Sequence, residues 1–324
     1  MKGVIASIST PSTDDRRIRS LRAPKPKVDP WVAHGSVLED ERRPGGVTER
    51  ALTVFLAGAE CPFTCSFCDL WRWTLDGPTP PGALPAQLRQ VLDNLDTLDN
   101  VRRLKLYNAS NFFDRRAVPA EDLPALAELA RPFDGVTVES HASMVGPPVL
   151  EFARLIPGRL EVAIGLETIN PTAARHLNKR MDLKRFERAA AFLLGNGIDL
   201  RVFVLLGAPY IAPAESVDWA VRTAEYAAQL GAAAIALIPV RGGNGELERL
   251  ASQGHFTSPT LRQLEEALDR CVELKPAAVA ADLWDVDWLA ACTDCRPRRV
   301  ERLRRINASG RREPPVTCSV CGTS

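Results

Sequence analysis

No stretch of this 324-residue chain is apolar for anything near the roughly 18 residues that a membrane span requires. The N-terminus lacks the apolar core of a secretory signal. Both absences favour a cytoplasmic protein without membrane contact. They also make the eight cysteines metal ligands in a reducing compartment rather than disulfide partners. Net charge is almost absent: 41 Lys and Arg against 40 Asp and Glu leave +1, so attraction to nucleic acid must come from a local patch. Histidine is sparse, with four in all, and none lies close to the first group of cysteines. That group therefore lacks the fourth ligand of a closed zinc site. Apolar residues make up 45% of the chain, enough for a large core in one α/β domain with appendages or in two domains.

The chain is organised around Cys61-Pro62-Phe63-Thr64-Cys65-Ser66-Phe67-Cys68. The loop follows the apolar run Leu52–Gly58 and can turn three thiolates toward one point. Three thiolates suit a soft metal centre, and a [4Fe–4S] cube held by them keeps one iron open for a small molecule. The plainer reading is three buried thiols with no function, since free cysteine is a common core residue. Their position, directly after the first strand-like run of an alternating chain, argues for the cluster.

From residue 51 the chain alternates. Strand-like runs are expected at Leu52–Gly58, Val101–Asn108, Val136–His141, Leu160–Thr168, Leu200–Gly207 and Ala234–Val240, most of them apolar on both faces. Helical patterns lie between them, over Ala86–Leu95, Pro119–Ala130, Pro148–Leu155, Asp182–Leu194 and Pro213–Leu230. Prolines open three of these, and Gly195-Asn196-Gly197 and Gly231 mark helix ends. Six parallel strand–helix units predict an α/β fold, a partial (β/α)6 TIM-like barrel. A full eight-stranded barrel is the alternative, with Ala278–Trp284 as a possible seventh strand. Residues 1–50 read as a polar N-terminal arm packed over a barrel of residues 51–285, with disorder expected at the start of the chain. Residues 286–324 read as a small cysteine-rich, metal-binding tail.

Parallel barrels carry their chemistry at the C-terminal ends of the strands, where the cysteine loop also emerges. The other strand ends supply Asn108 and Ser110, then Glu139 and His141, then Glu167. Glu167 shares its expected strand face with Ala163 and Gly165, small residues that leave room for a ligand. A carboxylate there suits ribose hydroxyls or a cationic substrate. For His141 the alternative is a loop histidine satisfied by hydrogen bonds.

The C-x3-C-x2-C spacing with Phe67 before the last cysteine resembles the signature of the radical S-adenosylmethionine (SAM) enzymes. The resemblance implies a [4Fe–4S] cluster on Cys61, Cys65 and Cys68 whose open iron holds the amino and carboxylate groups of SAM. It implies reductive cleavage of SAM to a 5′-deoxyadenosyl radical, and an electron donor such as flavodoxin or ferredoxin. By the same resemblance Phe67, Asn108, Ser110 and Glu167 are candidates to bind the cofactor, with Glu139 and His141 as catalytic candidates. The usual Gly-Gly-Glu after the second barrel strand is missing; Asn108-Ala109-Ser110 stands there. A second likeness covers roughly residues 50–260. The stretch GLETINPTAARHLNKRMDLKRFERAAAFLLGNGIDLRVFVLLGAP, with KLYNASNFFDRRAVP and LEVAIGLET, resembles the Elongator catalytic-subunit type and the radical subunit of archaeosine synthase. No acetyltransferase-like domain follows.

Near the C-terminus, Cys292/Cys295 and Cys318/Cys321 form two C-x2-C pairs separated by 22 residues. They match a zinc ribbon, and a second iron–sulfur cluster uses the same ligand set. From Cys292 onward, eight arginines face Asp294, Glu301 and Glu313. This basic segment suits RNA, through residues such as Arg298, Arg299 and Arg302. The alternative is a solvated helix paired with Glu265, Glu266, Asp282 or Asp285. The basic tail and the subgroup resemblance together point to a tRNA nucleoside as substrate. A small molecule or peptide is the first alternative, and a non-catalytic zinc and RNA-binding protein on a degenerate barrel the second.

Overall fold

The computed structural model describes residues 13–322, so the disorder expected at the start of the chain falls outside the described residues. Eight strands lie side by side in sequence order: β1 (Gly35–Arg42), β2 (Thr48–Phe55), β3 (Val101–Tyr107), β4 (Gly135–Glu139), β5 (Arg159–Glu167), β6 (Asp199–Leu206), β7 (Ala234–Pro239) and β8 (Ala278–Ala281). β1 runs antiparallel to β2, and all later neighbours are parallel. The six expected strands are β2–β7, and the possible seventh is β8. The sheet curls into a nearly closed barrel whose edges are β1 and β8.

Helices α1 (Thr13–Ser20), α2 (Ala83–Asp93), α3 (Leu123–Leu129), α4 (Pro147–Leu155), α5 (Pro171–His176), α6 (Leu183–Gly195), α7 (Ser216–Gln229), α8 (Glu246–Ser252), α9 (Leu261–Cys271) and α10 (Arg296–Ser309) complete the fold. Local chemistry fixes their ends. Asp182 caps α6 by accepting the Arg185 N–H at 2.7 Å, and Thr260 with Gln263 forms a reciprocal capping box on α9. Gly231 closes the turn after α7 at φ +94°, a conformation a side chain would strain.

The outward faces of the strands are apolar. Leu52, Val54, Leu104, Leu106, Val136, Val138, Val162 and Val202 are fully buried against the helices. Each such side chain contributes about 1.5–3 kcal/mol over its exposed state.

The inward faces differ from the expectation of strands apolar on both sides. At the N-terminal end of the barrel they carry charge. Arg201 on β6 donates from Nε to Glu161 on β5 at 2.7 Å and also pairs with Glu41 on β1. Lys105 on β3 meets Glu41 at 2.8 Å, and Arg43 reaches the other Glu161 oxygen at 2.6 Å. Arg103 pairs with Glu49 at 2.9 Å, and Thr137 donates to Glu161 at 3.0 Å. This network explains why β1 was invisible as a strand. Its acidic residues Glu39 and Glu41 look like a solvated arm in sequence; Glu41 is enclosed and neutralised by Lys105 and Arg201, whereas Glu39 reaches Lys105 from an exposed position.

Burial would raise the Glu161 carboxyl, but Arg201, Arg43 and Arg103 outweigh it and hold it down at about 2. Its folded pKa lies below the unfolded value, so its contribution is complete above about pH 4.5. That contribution declines as pH falls from there toward 2. We expect urea titrations to show stability falling over that window, and Glu161→Gln to flatten the fall. Arg201→Met, which strands two carboxylates, should cost about 3–5 kcal/mol at neutral pH. A loss under about 1 kcal/mol would show the network to be dispensable.

Candidate active site

The cysteine loop leaves the C-terminal end of β2 and is held by three remote segments, two of them through its backbone. Asn178, beyond α5, donates from Nδ2 to the Thr64 carbonyl at 2.9 Å and to Asp15 of α1 at 3.0 Å. Thr64 itself donates to Asp15, which also pairs with Arg180. Ser66 N–H donates to the Leu177 carbonyl at 2.9 Å. Asn244, beyond β7, donates to the Ser66 carbonyl at 2.9 Å while its Oδ1 accepts the Leu247 N–H at 2.8 Å. The loop is thus fixed by contacts from segments far from it in sequence.

Cys61, Cys65 and Cys68 are half-buried residues whose thiols are raised by burial, Cys65 to about 12. Such thiols do not ionise near neutrality unaided; a bound cation displaces the proton. Buried and protonated, these thiols are not poised as free nucleophiles.

Around the loop lie the other candidates. Glu139 accepts the Asn108 backbone N–H at 3.0 Å; burial raises its carboxyl to about 7 against the pull of the N–H groups of residues 108–110. Both amide atoms of Asn108, Ser110 Oγ and Ser66 Oγ are buried without a protein partner. Orphaned buried groups cost about 1–3 kcal/mol each unless something binds them. Asn108 and Ser110 follow the end of β3, and Ser66 lies in the cysteine loop itself.

Two candidates stand in surroundings that the sequence did not show. A bulge between Gly165 and Glu167 sets Glu167 at φ +67°, and its carboxylate folds back over Gly165. The space above the small residues is thus filled by Glu167 and its partner Lys179, whose Nζ stands 2.6 Å from Oε1. A Cβ on Gly165 would lie 1.9 Å from that oxygen. His141, expected as catalytic, has both ring nitrogens engaged. Nε2 donates to the Lys179 carbonyl at 2.9 Å, and Nδ1 accepts the Ser143 N–H at 3.1 Å. Burial, then the Lys179 charge, lowers it to about 3, so the ring is neutral. It stacks on Phe63 at 4.0 Å and is placed as a prop for the loop.

Lys179 was not foreseen. Burial opposes its charge, but Glu167 and the cysteines outweigh that and raise its pKa; its Nζ stands 5.9 Å above the Phe67 ring. Asn111 was missed too: it donates to Cys61 Sγ at 3.2 Å and accepts the His141 N–H at 2.6 Å. The tripeptide Asn178-Lys179-Arg180, carried in sequence only by the subgroup likeness, was the one signal for Lys179. Phe67 packs against a second apolar cluster of Leu177, Leu205, Val240, Leu247, Leu250 and Phe256.

The tail cysteines converge. The ligand atoms of Cys292, Cys295, Cys318 and Cys321 all lie within 4.8 Å of one another, a group that could hold a metal ion. Of the arginines expected to meet RNA, two are committed elsewhere. Arg299 is buried against Glu265, with Nε at 3.0 Å. Arg302, 2% exposed, holds Asp269 at 2.8 Å. Asp269 was not among the acidic partners considered. An open concavity of about 490 Å³ near the ends of β5 and β6, lined by His176, Tyr210 and His255, contains none of the cysteines.

No protein-family model matches this chain, and no curated protein matches it. Solved structures do. The archaeal Methanocaldococcus infernus Elp3, with its N-terminus deleted, superposes with a TM-score of 0.52 at 9% identity over 68% of this chain. The chain spans 58% of that structure's length. A spore photoproduct lyase variant gives 0.52 at 12% identity, covering 85% of this chain and 86% of its own. Another, with dinucleoside spore photoproduct, gives 0.51 at 14% identity, covering 70% and 75%. These are radical SAM enzymes, and the chain has their fold.

Lys179→Met should destabilise the protein by about 3–5 kcal/mol, because it leaves the Glu167 carboxylate buried and unpaired. The double variant Lys179→Met/Glu167→Leu should recover more than half of that loss in chemical denaturation. No recovery would mean that the pair is not coupled.

Proposed function

We propose that this chain is a radical SAM enzyme. The observation that carries the reading is the clamped three-cysteine loop at the C-terminal end of β2, set beside orphaned polar groups at neighbouring strand ends. Cys61, Cys65 and Cys68 would hold a [4Fe–4S] cluster. When bound, that cluster supplies the electron that cleaves SAM reductively to a 5′-deoxyadenosyl radical, with an electron donor of the flavodoxin or ferredoxin kind. The chain's own residues supply position. Asn111 steadies Cys61, and the neutral His141 supports Phe63 and the Lys179 backbone. Asn108 and Ser110 offer unfilled hydrogen-bonding groups to the cofactor, and the Glu167–Lys179 pair offers both signs of charge. The loop thiols suit a reducing, cytoplasmic setting.

For the tail we favour zinc over a second cluster. Cys295 Sγ and Cys321 Sγ stand 3.8 Å apart. Four sulfurs about 2.3 Å from one tetrahedral ion stand about 3.8 Å from each other, and a cube of irons spreads its ligands wider. A tRNA nucleoside is the substrate class we favour, on the subgroup resemblance and the arginines of α10 that remain exposed, among them Arg298, Arg304 and Arg305.

Anaerobically purified protein should carry about four irons and one zinc, and should release 5′-deoxyadenosine from SAM with a chemical reductant. Cys65→Ala should abolish that release while leaving the circular dichroism spectrum unchanged; undiminished release would sink the site. Cys292→Ser/Cys295→Ser should lose the zinc alone. A count of about eight irons would overturn the zinc assignment.

A further inference from the structure

Above the charge network the inward side chains of the barrel are aromatic and half-buried. In a packed parallel barrel the inward side chains form buried layers. Here the inward residues above the charge network, Phe55 on β2, Tyr107 on β3 and Phe203 on β6, are half-buried, while their outward neighbours Val54, Leu106 and Val202 are fully buried. These rings alternate with the outward residues, so they lie on the inward side of the sheet and keep part of their surface accessible. Phe55 and Tyr107 are partners across the β2–β3 ladder, and Tyr107 meets Phe203 edge-on at 6.4 Å. They make an aromatic floor at the same end of the sheet as the cysteine loop.

The floor continues outward to the rim between β2 and β8. Phe55 contacts Trp284 edge-on at 5.8 Å, and Trp284, just beyond β8, is 59% exposed. Trp288 follows in a 3-10 turn over Val286–Leu289 and is 43% exposed. That turn abuts the start of α10, where Arg296 Nε lies 3.9 Å from Asp287. Tryptophans this exposed leave much of the ring in contact with solvent and suit stacking on a planar partner.

Charge indicates what carries the ring. From the rim, α10 runs along the β1 and β8 edges. It buries Val300, Leu303 and Ile306 and leaves Arg298, Arg304 and Arg305 exposed. Among the described residues, Arg304 pairs with the exposed carboxylate of Glu301 and Arg305 with the half-buried carboxylate of Glu313. Exposed pairs of this kind are worth little and can be exchanged for phosphates. Aromatic platforms adjoining a cationic track are how single-stranded nucleic acid is held.

We propose that an unpaired nucleobase of RNA enters the barrel across Trp284 and Phe55 toward the aromatic floor, with the strand's phosphates lying along the exposed arginines of α10. This rests on the radical SAM reading above and names the entry surface for its substrate.

The test uses the full-length holoprotein, a short fluorescein-labelled single-stranded RNA, and a strand of equal length with abasic riboses throughout. Wild type should bind the base-bearing strand about tenfold or more tighter, and Trp284→Ala should remove most of that difference. Trp284→Phe should retain it, and Arg304→Glu/Arg305→Glu should weaken both strands and reduce the salt dependence. The wild-type comparison of the two strands needs no variant, so a misfolded variant does not excuse the proposal. Equal affinity for the two strands, or no binding of either, would overturn it and leave the rim as a protein-docking face. Release of 5′-deoxyadenosine by wild type without RNA is measured alongside. Its absence defeats the radical SAM reading, whereas its presence with base-blind binding defeats only this one.

Discussion

Charge placed inside a barrel has to be neutralised there, and much of this molecule follows from that requirement. Glu161 is completely buried, and its carboxylate is tolerable only because Arg201, Arg43 and Thr137 converge on it from three other segments. The same arginine ties β6 to Glu41, so the antiparallel β1 is held to the sheet by ion pairs as well as by its ladder with β2. Ion pairs of this kind add little net stability, but they penalise any strand order that separates the partners. The lower barrel is filled by this network, and the upper barrel is left to half-buried aromatic rings.

The upper end is where the chain invests in rigidity. The cysteine loop has little secondary structure of its own, yet Asp15, Leu177, Asn178 and Asn244 fix it from segments distant in sequence. His141 and Asn111 extend the support to Cys61. Preorganising soft ligands in this way places them before a metal arrives. The price is a set of buried polar groups, at Asn108, Ser110 and Ser66, that the protein alone does not satisfy.

The C-terminal segment serves the barrel as well as the four-cysteine group that could hold a metal ion. Asn307 of α10 accepts the Ala281 N–H at 2.9 Å and donates to the Ala281 carbonyl at 2.8 Å, so a side-chain amide pairs with the end of edge strand β8. Arg299 and Arg302 bind α9 through Glu265 and Asp269. Cys295 sits at the N-terminus of the same helix, so a metal bound there would anchor the element that lies along both barrel edges.

What the sequence determined by itself was whatever depends on spacing or on apolar pattern. The x3/x2 cysteines, the paired C-x2-C tail and the six alternating units were legible because short cysteine spacings and strand burial leave local periods. The tertiary structure alone decided where charge goes. Glu41 looked solvated and is inside, and Arg302 looked available to RNA and is buried on Asp269. Glu167 looked free for a ligand and is paired with Lys179. No local pattern marks these residues, because the partner that neutralises each lies on another segment. Coulomb attraction depends on distance in space, which only the folded chain supplies.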